Sequence, residues 1–410
     1  VSTTNQFIDS SFEIDSRTDF SVTRNVLRAV GDLRRGEAVV LSGSDQVSLY
    51  VMAAEGECGT GLDQLAGIDA VPKVLISGPR AQSLGLTDQA GRPVTLRPTS
   101  EQLTVDWLNR LADPTLVHSA ESRSSINGRR PSIAENHDRV FDLAGAMIVI
   151  EGGASVDSAS RVTEDMELLT VAALKLLKLA RLLPTAVIAT VTGAVPEGMG
   201  QVSADEVAHV AEIGPTQLAV VARSPVPLDG AEQTEMISFR PADGGKEHLA
   251  IVIGDVDTSG PVLCRLHSEC FTGDLLGSLK CDCGDQLRGA VQQIAAEGSG
   301  ILLYLAQEGR GIGLVNKLRA YALQAEGVDT LDANLQLGFD ADERVFQPAV
   351  EMLRSLGVDA IRLMTNNPEK VAAFSEHGIA VLERVPLSFA ANGHNEGYLR
   401  TKSERFGHDL

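Results

Sequence analysis

Apolar positions recur at helical spacing through 24–35, then gather into short runs at 38–41, 47–53 and 74–77 that read as strands. The longest helical pattern covers 163–183. Its richest stretch, Leu168 to Leu183, is interrupted by Lys175, Lys178 and Arg181, as in an amphipathic core helix, and Pro184 stops it. A strand at 186–191, a short helix at 205–213 and a strand at 217–222 follow. From 224 to 245 prolines and glycines dominate, with neither helical nor strand periodicity, and this marks a boundary. Beyond it strands are predicted at 248–254, 262–266, 300–305, 361–364 and 379–385. Helices are predicted between them at 285–297, 314–326, 344–356 and 368–377. Gly298 and Gly327 close two of these helices, and Pro368 opens another. Helices mixed with strands on both sides of the boundary predict an α+β (mixed α/β) protein of two domains, 1–225 and 226–410.

At 410 residues with 43% hydrophobic content, each half can bury a core of its own. No apolar run reaches the roughly 18 residues that a membrane span requires, and no basic start precedes an apolar block at the N-terminus. A cytoplasmic protein is the expectation, with no membrane partner. The net charge of −20 argues against a general nucleic-acid binder. It leaves room for an anionic small molecule wherever arginines cluster in one cleft.

Four of the five cysteines fall within a short window, at Cys264, Cys270, Cys281 and Cys283, while Cys58 stands alone. Cys270, Cys281 and Cys283 make a C-x10-C-x-C set. Three thiolates and one open position suit a catalytic zinc, which lowers the pKa of a water towards neutrality. The alternative is a cluster of buried thiols. Cys264 sits on a predicted strand and reads as a small buried hydrophobe. Downstream, Gln307-Glu-Gly-Arg-Gly-Ile-Gly lies between a strand and a helix, where backbone N–H groups can approach an anion. Such a turn is equally an ordinary tight connection. Arg265, Arg310, Arg344 and Lys370 add cations suited to phosphate, or to a solvated surface. Asp342 fits a helix start, and Tyr321 a helix core.

Taken in order, these motifs resemble GTP cyclohydrolase II, the enzyme opening riboflavin biosynthesis. The resemblance runs from about residue 248 to the C-terminus. It rests on Arg265-Leu-His-Ser-Glu-Cys, Cys281-Asp-Cys-Gly, Gln307-Glu-Gly-Arg-Gly-Ile-Gly-Leu and Asn316-Lys-Leu-Arg-Ala-Tyr-Ala-Leu-Gln. Ala341-Asp-Glu-Arg, Thr365-Asn-Asn-Pro-Glu-Lys and Glu383-Arg-Val-Pro-Leu continue it. It implies zinc on Cys270, Cys281 and Cys283, and GTP held with Mg²⁺ on its phosphates. Gln286, Glu308, Gly309 and Arg310 would contact the substrate, with Thr330, Thr365 and Lys370. Arg265, His267, Ser268 and Glu269 would lie at the triphosphate and metal side. Asp342 resembles the proton acceptor, Arg344 the nucleophile or clamp at the α-phosphate, and Tyr321 the catalytic tyrosine. The implied reaction releases pyrophosphate and formate and leaves a diaminopyrimidine; the implied assembly is a homodimer.

The first half is faintly similar to a 3,4-dihydroxy-2-butanone 4-phosphate synthase domain, through the segments at 26–41, 49–55 and 172–191. The synthase's acidic run is missing. Ser42-Gly-Ser-Asp-Gln-Val-Ser has one carboxylate, and Arg161-Val-Thr-Glu-Asp stands where a Gly-His-Thr motif is expected. One carboxylate without substrate phosphates holds Mg²⁺ weakly. The half therefore reads as a degenerate, non-catalytic domain kept for packing, dimerisation or regulation. His118, His137 and Cys58 read as structural or surface residues. Two other functions compete with the cyclohydrolase: a divergent enzyme stopping at a formamide, and a GTP-binding regulator without turnover.

Overall fold

The computed structural model describes residues 16–43, 47–67, 71–88, 91–116, 149–150 and 160–387. His118, His137 and residues 44–46 of the acid-poor stretch lie outside these. The expected mixed α/β class is present, as two seven-stranded sheets.

The first sheet contains β1 (Val39–Ser42), β2 (Ser48–Ala53), β3 (Lys73–Ile76), β4 (Val94–Arg97), β5 (Val149–Ile150), β6 (Thr185–Thr190) and β7 (Gln201–Ser203). Their order is β5-β4-β3-β6-β2-β1-β7. Side-chain alternation along β2 decides what each face meets. Leu49, Val51 and Ala53 pack under helices Ser16–Arg34, Ser160–Leu179 and Ala204–Ile213. Tyr50 and Met52 point the other way, into a core shared with Ile312, Ala320, Leu323, Leu337 and Phe339 from the second half. The two halves thus bury one hydrophobic cluster in common.

The second sheet contains β8 (Leu218–Pro225), β9 (Thr234–Pro241), β10 (His248–Ile253), β11 (Val262–Ser268), β12 (Gly300–Leu305), β13 (Ala360–Met364) and β14 (Ala380–Val385). Their order is β14-β13-β11-β12-β10-β9-β8, with β12, β11, β13 and β14 parallel. Clefts form beyond the carboxyl ends of such parallel strands. Those ends lead directly into Glu269-Cys270, Gln307-Glu308 and Thr365-Asn366.

Several sequence expectations need correction. The proline- and glycine-rich boundary holds β9, which pairs with both β8 and β10. Its inward residues Ile237 and Phe239 do alternate, but flanking turns hide a pattern so short. β8, placed by the expected division at 225 in the first domain, is the edge strand of the second sheet. The helix expected from 344 starts at Gln347, where Pro348 occupies its first turn, so Asp342 and Arg344 stay in a loop. The long helix ends at Leu179. There the Leu182 N–H donates to the Leu177 carbonyl across Arg181, which adopts φ 57° at a position that favours glycine.

Candidate functional site

One cleft at the carboxyl ends of β11, β12 and β13 encloses about 1140 Å³ of space, part of it open to solvent. Arg265, His267, Ser268, Glu269, Cys270, Cys281, Cys283 and Gln286 line one side. Glu308, Gly309, Arg310, Tyr321, Thr330, Arg344, Thr365 and Lys370 complete the set of sequence-predicted residues in it. Asp342 is not among the lining residues; it grips Arg344, whose Nε lies 2.9 Å and 3.0 Å from its two carboxylate oxygens.

The thiols of Cys270, Cys281 and Cys283 all lie within 4.8 Å of one another. Cys264, by contrast, faces the core with its thiol pushed up to about 12 by burial. The turn after Cys270 passes so close that a Cβ on Gly273 would sit 2.7 Å from the Cys281 sulfur and 3.0 Å from that of Cys270. Only glycine leaves room there for three converging sulfurs. Hydrogen bonds from Cys281 and Cys283, and then the nearby Lys317 ammonium, hold the Cys270 thiol far below its ordinary range, while hydrogen bonding to Cys270 and burial push the Cys281 and Cys283 thiols up. A thiolate is the metal-binding form, and three sulfur donors in an incomplete tetrahedron suit zinc. These residues fit that ion.

Sequence reasoning passes over Lys317. Its Nζ lies 3.1 Å from Cys270 Sγ and 2.7 Å from Glu308 Oε1, and it is buried. Burial works against its charge, but Glu308 and the Cys270 thiolate more than restore it. A signal for it does exist: Lys317 and Tyr321 are four residues apart on helix Leu314–Ala325 and therefore share a face. Glu308 Oε2 also accepts from the Phe271 N–H at 2.6 Å, tying the zinc-loop start to the glycine-rich turn. Asp274, equally unpredicted, accepts from His267 Nε2 at 3.1 Å, from the Tyr304 hydroxyl at 2.9 Å and from the Cys270 N–H at 2.9 Å. Burial lowers the His267 pKa, with Asp274 opposing.

Arg265 is buried and pushed down to about 10 by desolvation, so it remains a cation. It donates to the Met364 carbonyl at 2.7 Å and to Gln286 Oε1 at 2.5 Å. Its Nε, with Ser268 Oγ, Glu269 Oε2 and Gln307 Oε1, is buried without a hydrogen-bond partner among the described residues. Buried polar atoms are normally paired, so such a group marks a place where a polar ligand completes the set. Arg310 holds φ 62° between Gly309 and Gly311, both also positive. A non-glycine residue in that region is strained, and strain of this kind collects at functional sites. Lys370 Nζ bonds the Leu266 carbonyl at 2.9 Å, at the mouth of β11.

Residues 219–386 match the family model for GTP cyclohydrolase II. The chain is 46% identical over 401 residues to a GTP cyclohydrolase-2 of Azospirillum brasilense, covering 95% of each. It is 56% identical over 190 residues to a GTP cyclohydrolase-2 of Pseudomonas paraeruginosa, covering 46% of this chain and 92% of that relative. Among solved structures, a two-domain 3,4-dihydroxy-2-butanone 4-phosphate synthase from A. baumannii covers 89% of this chain and 99% of its own. The identity there is 16% and the TM-score 0.28, a distant likeness.

Proposed function

The chain belongs to the GTP cyclohydrolase II family, and from that membership we propose the full reaction of this cleft: opening of the GTP imidazole ring with release of formate and pyrophosphate. The product is 2,5-diamino-6-ribosylamino-4(3H)-pyrimidinone 5′-phosphate. The observation that carries it is the convergence of three thiols with Arg265, Glu308, Arg310 and Lys370 in one cleft.

Cys270, Cys281 and Cys283 would hold zinc, which when bound supplies the Lewis acidity that brings water towards deprotonation near pH 7. Lys317 sets a positive charge beside the Cys270 sulfur and pairs with Glu308 at 2.7 Å. Glu308, Gly309, Arg310, Gln286, Thr330 and Thr365 bind the nucleotide. Arg265, His267, Ser268 and Glu269 offer the polar edge facing the metal and phosphates, and Lys370 adds a cation. Tyr321, whose hydroxyl burial holds well above its ordinary pKa, stays a proton donor through the neutral range. Arg344 presents a planar fork towards the α-phosphate, either as nucleophile or as clamp, and Asp342 takes up a proton or orients that fork. Mg²⁺ would accompany the triphosphate as its counter-ion.

The division into a catalytic unit (226–410, extended back to include β8) and a non-catalytic, synthase-like unit before it belongs to the same proposal. So do a homodimer and a cytoplasmic location. No helix among the described residues is long and apolar enough to cross a membrane. A divergent enzyme halting at a formamide and a GTP-binding regulator are the competing readings.

The test is incubation with GTP and Mg²⁺, following formate, pyrophosphate and the diaminopyrimidine chromophore. All three are expected, with formate lost on zinc removal and restored on zinc return. Pyrophosphate without formate would point to the divergent enzyme, and binding without any product to the regulator.

A further inference from the structure

The cleft is built on the second sheet, yet two of its connecting loops are fastened from the first half. Lys178, in the last turn of helix Ser160–Leu179, places Nζ 2.6 Å from Glu343 Oε1 and 2.8 Å from Asp340 Oδ2. Glu343 is the residue between Asp342 and Arg344. Its N–H donates to the Arg310 carbonyl at 3.0 Å, and its Oε1 accepts from the Asp340 N–H at 2.8 Å. A Cβ on Gly311 would lie 2.7 Å from the Glu343 carbonyl oxygen. The glycine-rich turn and the Asp342–Arg344 loop therefore meet at Glu343, and Lys178 holds Glu343 from outside.

A second fastening lies beside the first. The Arg181 carbonyl accepts from Asn316 Nδ2 at 3.0 Å, and its side chain covers Gly313, where a Cβ would approach Arg181 Cδ to 3.1 Å. Arg181 and Arg310 are the two non-glycine residues at positive φ among the described residues, and they flank this same turn. Strained conformations persist only where the surroundings over-determine them. Here the first half supplies part of those surroundings.

We propose that Lys178 is a positioning residue for the cyclohydrolase reaction, fixing through Glu343 the loop that carries Asp342 and Arg344 against the turn that carries Arg310. The first half of the chain then serves the chemistry of the second. This rests on the reaction proposed above. The physical basis is that small misplacements of reacting groups lower rates far more than they lower binding, about a hundredfold for 1 Å. A partly exposed ion pair, by itself, contributes little to stability.

The experiment compares the full-length, zinc-loaded protein with Lys178→Met, Lys178→Arg, Lys178→Glu and the reversed pair Lys178→Glu with Glu343→Lys. It measures kcat and KM for GTP, zinc content, melting midpoint and hydrogen exchange of the 339–346 amides. Lys178→Met should lose at least about tenfold in kcat, keep KM and zinc content within about twofold, and exchange faster at 339–346. Lys178→Arg should restore most of kcat, and the reversed pair should recover part of what Lys178→Glu alone loses. A kcat for Lys178→Met within twofold of the wild type overturns the proposal. So does a loss that follows melting midpoint or KM, or one that arginine does not rescue. Failure of the wild-type protein to release formate overturns the proposed reaction, and this inference with it, and is read from the wild-type arm alone.

Discussion

Asp342 and Arg344 lie two positions apart in a loop, where the Arg344 backbone N–H, its Nε and one terminal guanidinium nitrogen all donate to the one carboxylate. Burial raises the Asp342 pKa, but Arg344 outweighs it and holds the carboxyl below the ordinary aspartate range. Because the folded pKa is depressed, the pair's contribution to stability is fully present above the ordinary carboxylate range and is lost as pH falls through the folded value. The stability difference between wild type and Asp342→Asn should therefore be constant from neutral pH down to about pH 5 and shrink below about pH 4, as read by urea midpoints. The catalytic consequences separate the two residues. Asp342→Asn should bind GTP almost normally and lose at least about tenfold in kcat. Arg344→Lys keeps the charge but not the two-point fork, so it should lose most turnover as well. Near-normal turnover in Arg344→Lys would leave only a non-specific electrostatic role for that position.

At the scale of elements, legibility follows range along the chain. The thiol triad and the Arg310 turn come from contiguous motifs legible from residue order. The Arg344 loop reads in the sequence as the start of a helix, but stays irregular because the helix begins only at Gln347, with Pro348 in its first turn. Helices such as Cys283–Glu297 announce themselves through periodicity and a closing glycine. What stays hidden depends on residues far apart in sequence. β9 is masked by its flanking turns. Glu55 and Asp113, which no local pattern singles out, both bond Arg319 on helix Leu314–Ala325, at 3.1 Å and 2.7 Å. Arg80, pushed down to about 10 by burial, likewise donates to the Gln336 carbonyl at 3.0 Å, and Ser77 to the Gly338 carbonyl at 2.7 Å. No local pattern encodes such pairs. The Arg319 pairs are largely buried, so truncating the cation strands two carboxylates against the shared core. Arg319→Met should cost about 3–5 kcal/mol in urea unfolding, and Glu55→Gln clearly less. Equal, small effects would mean that the seam between helix and first sheet is wetter than it looks.

For the molecule as a whole, charge poses a problem that the site must answer. A chain with net charge −20 repels a nucleotide anion at long range. Attraction begins only inside the cleft, where Arg265 and Lys370 are buried and Arg310 and Arg344 half-buried beside the partly open space. Salt acts unequally on these two fields. At 0.15 M it screens exposed charges beyond about 8 Å, while buried contacts are screened much less. A protein that captured GTP with exposed lysines would bind it steadily more weakly as salt rises. Here the long-range repulsion should fade first, and the buried and half-buried cations of the cleft should keep most of their hold. Raising monovalent salt from about 20 to 150 mM at fixed free Mg²⁺ should therefore leave the KM for GTP unchanged within about twofold, or lower it. Steady-state titrations across that range decide the point, and a KM that climbs tenfold would place the dominant substrate cations on the open surface instead of in the cleft.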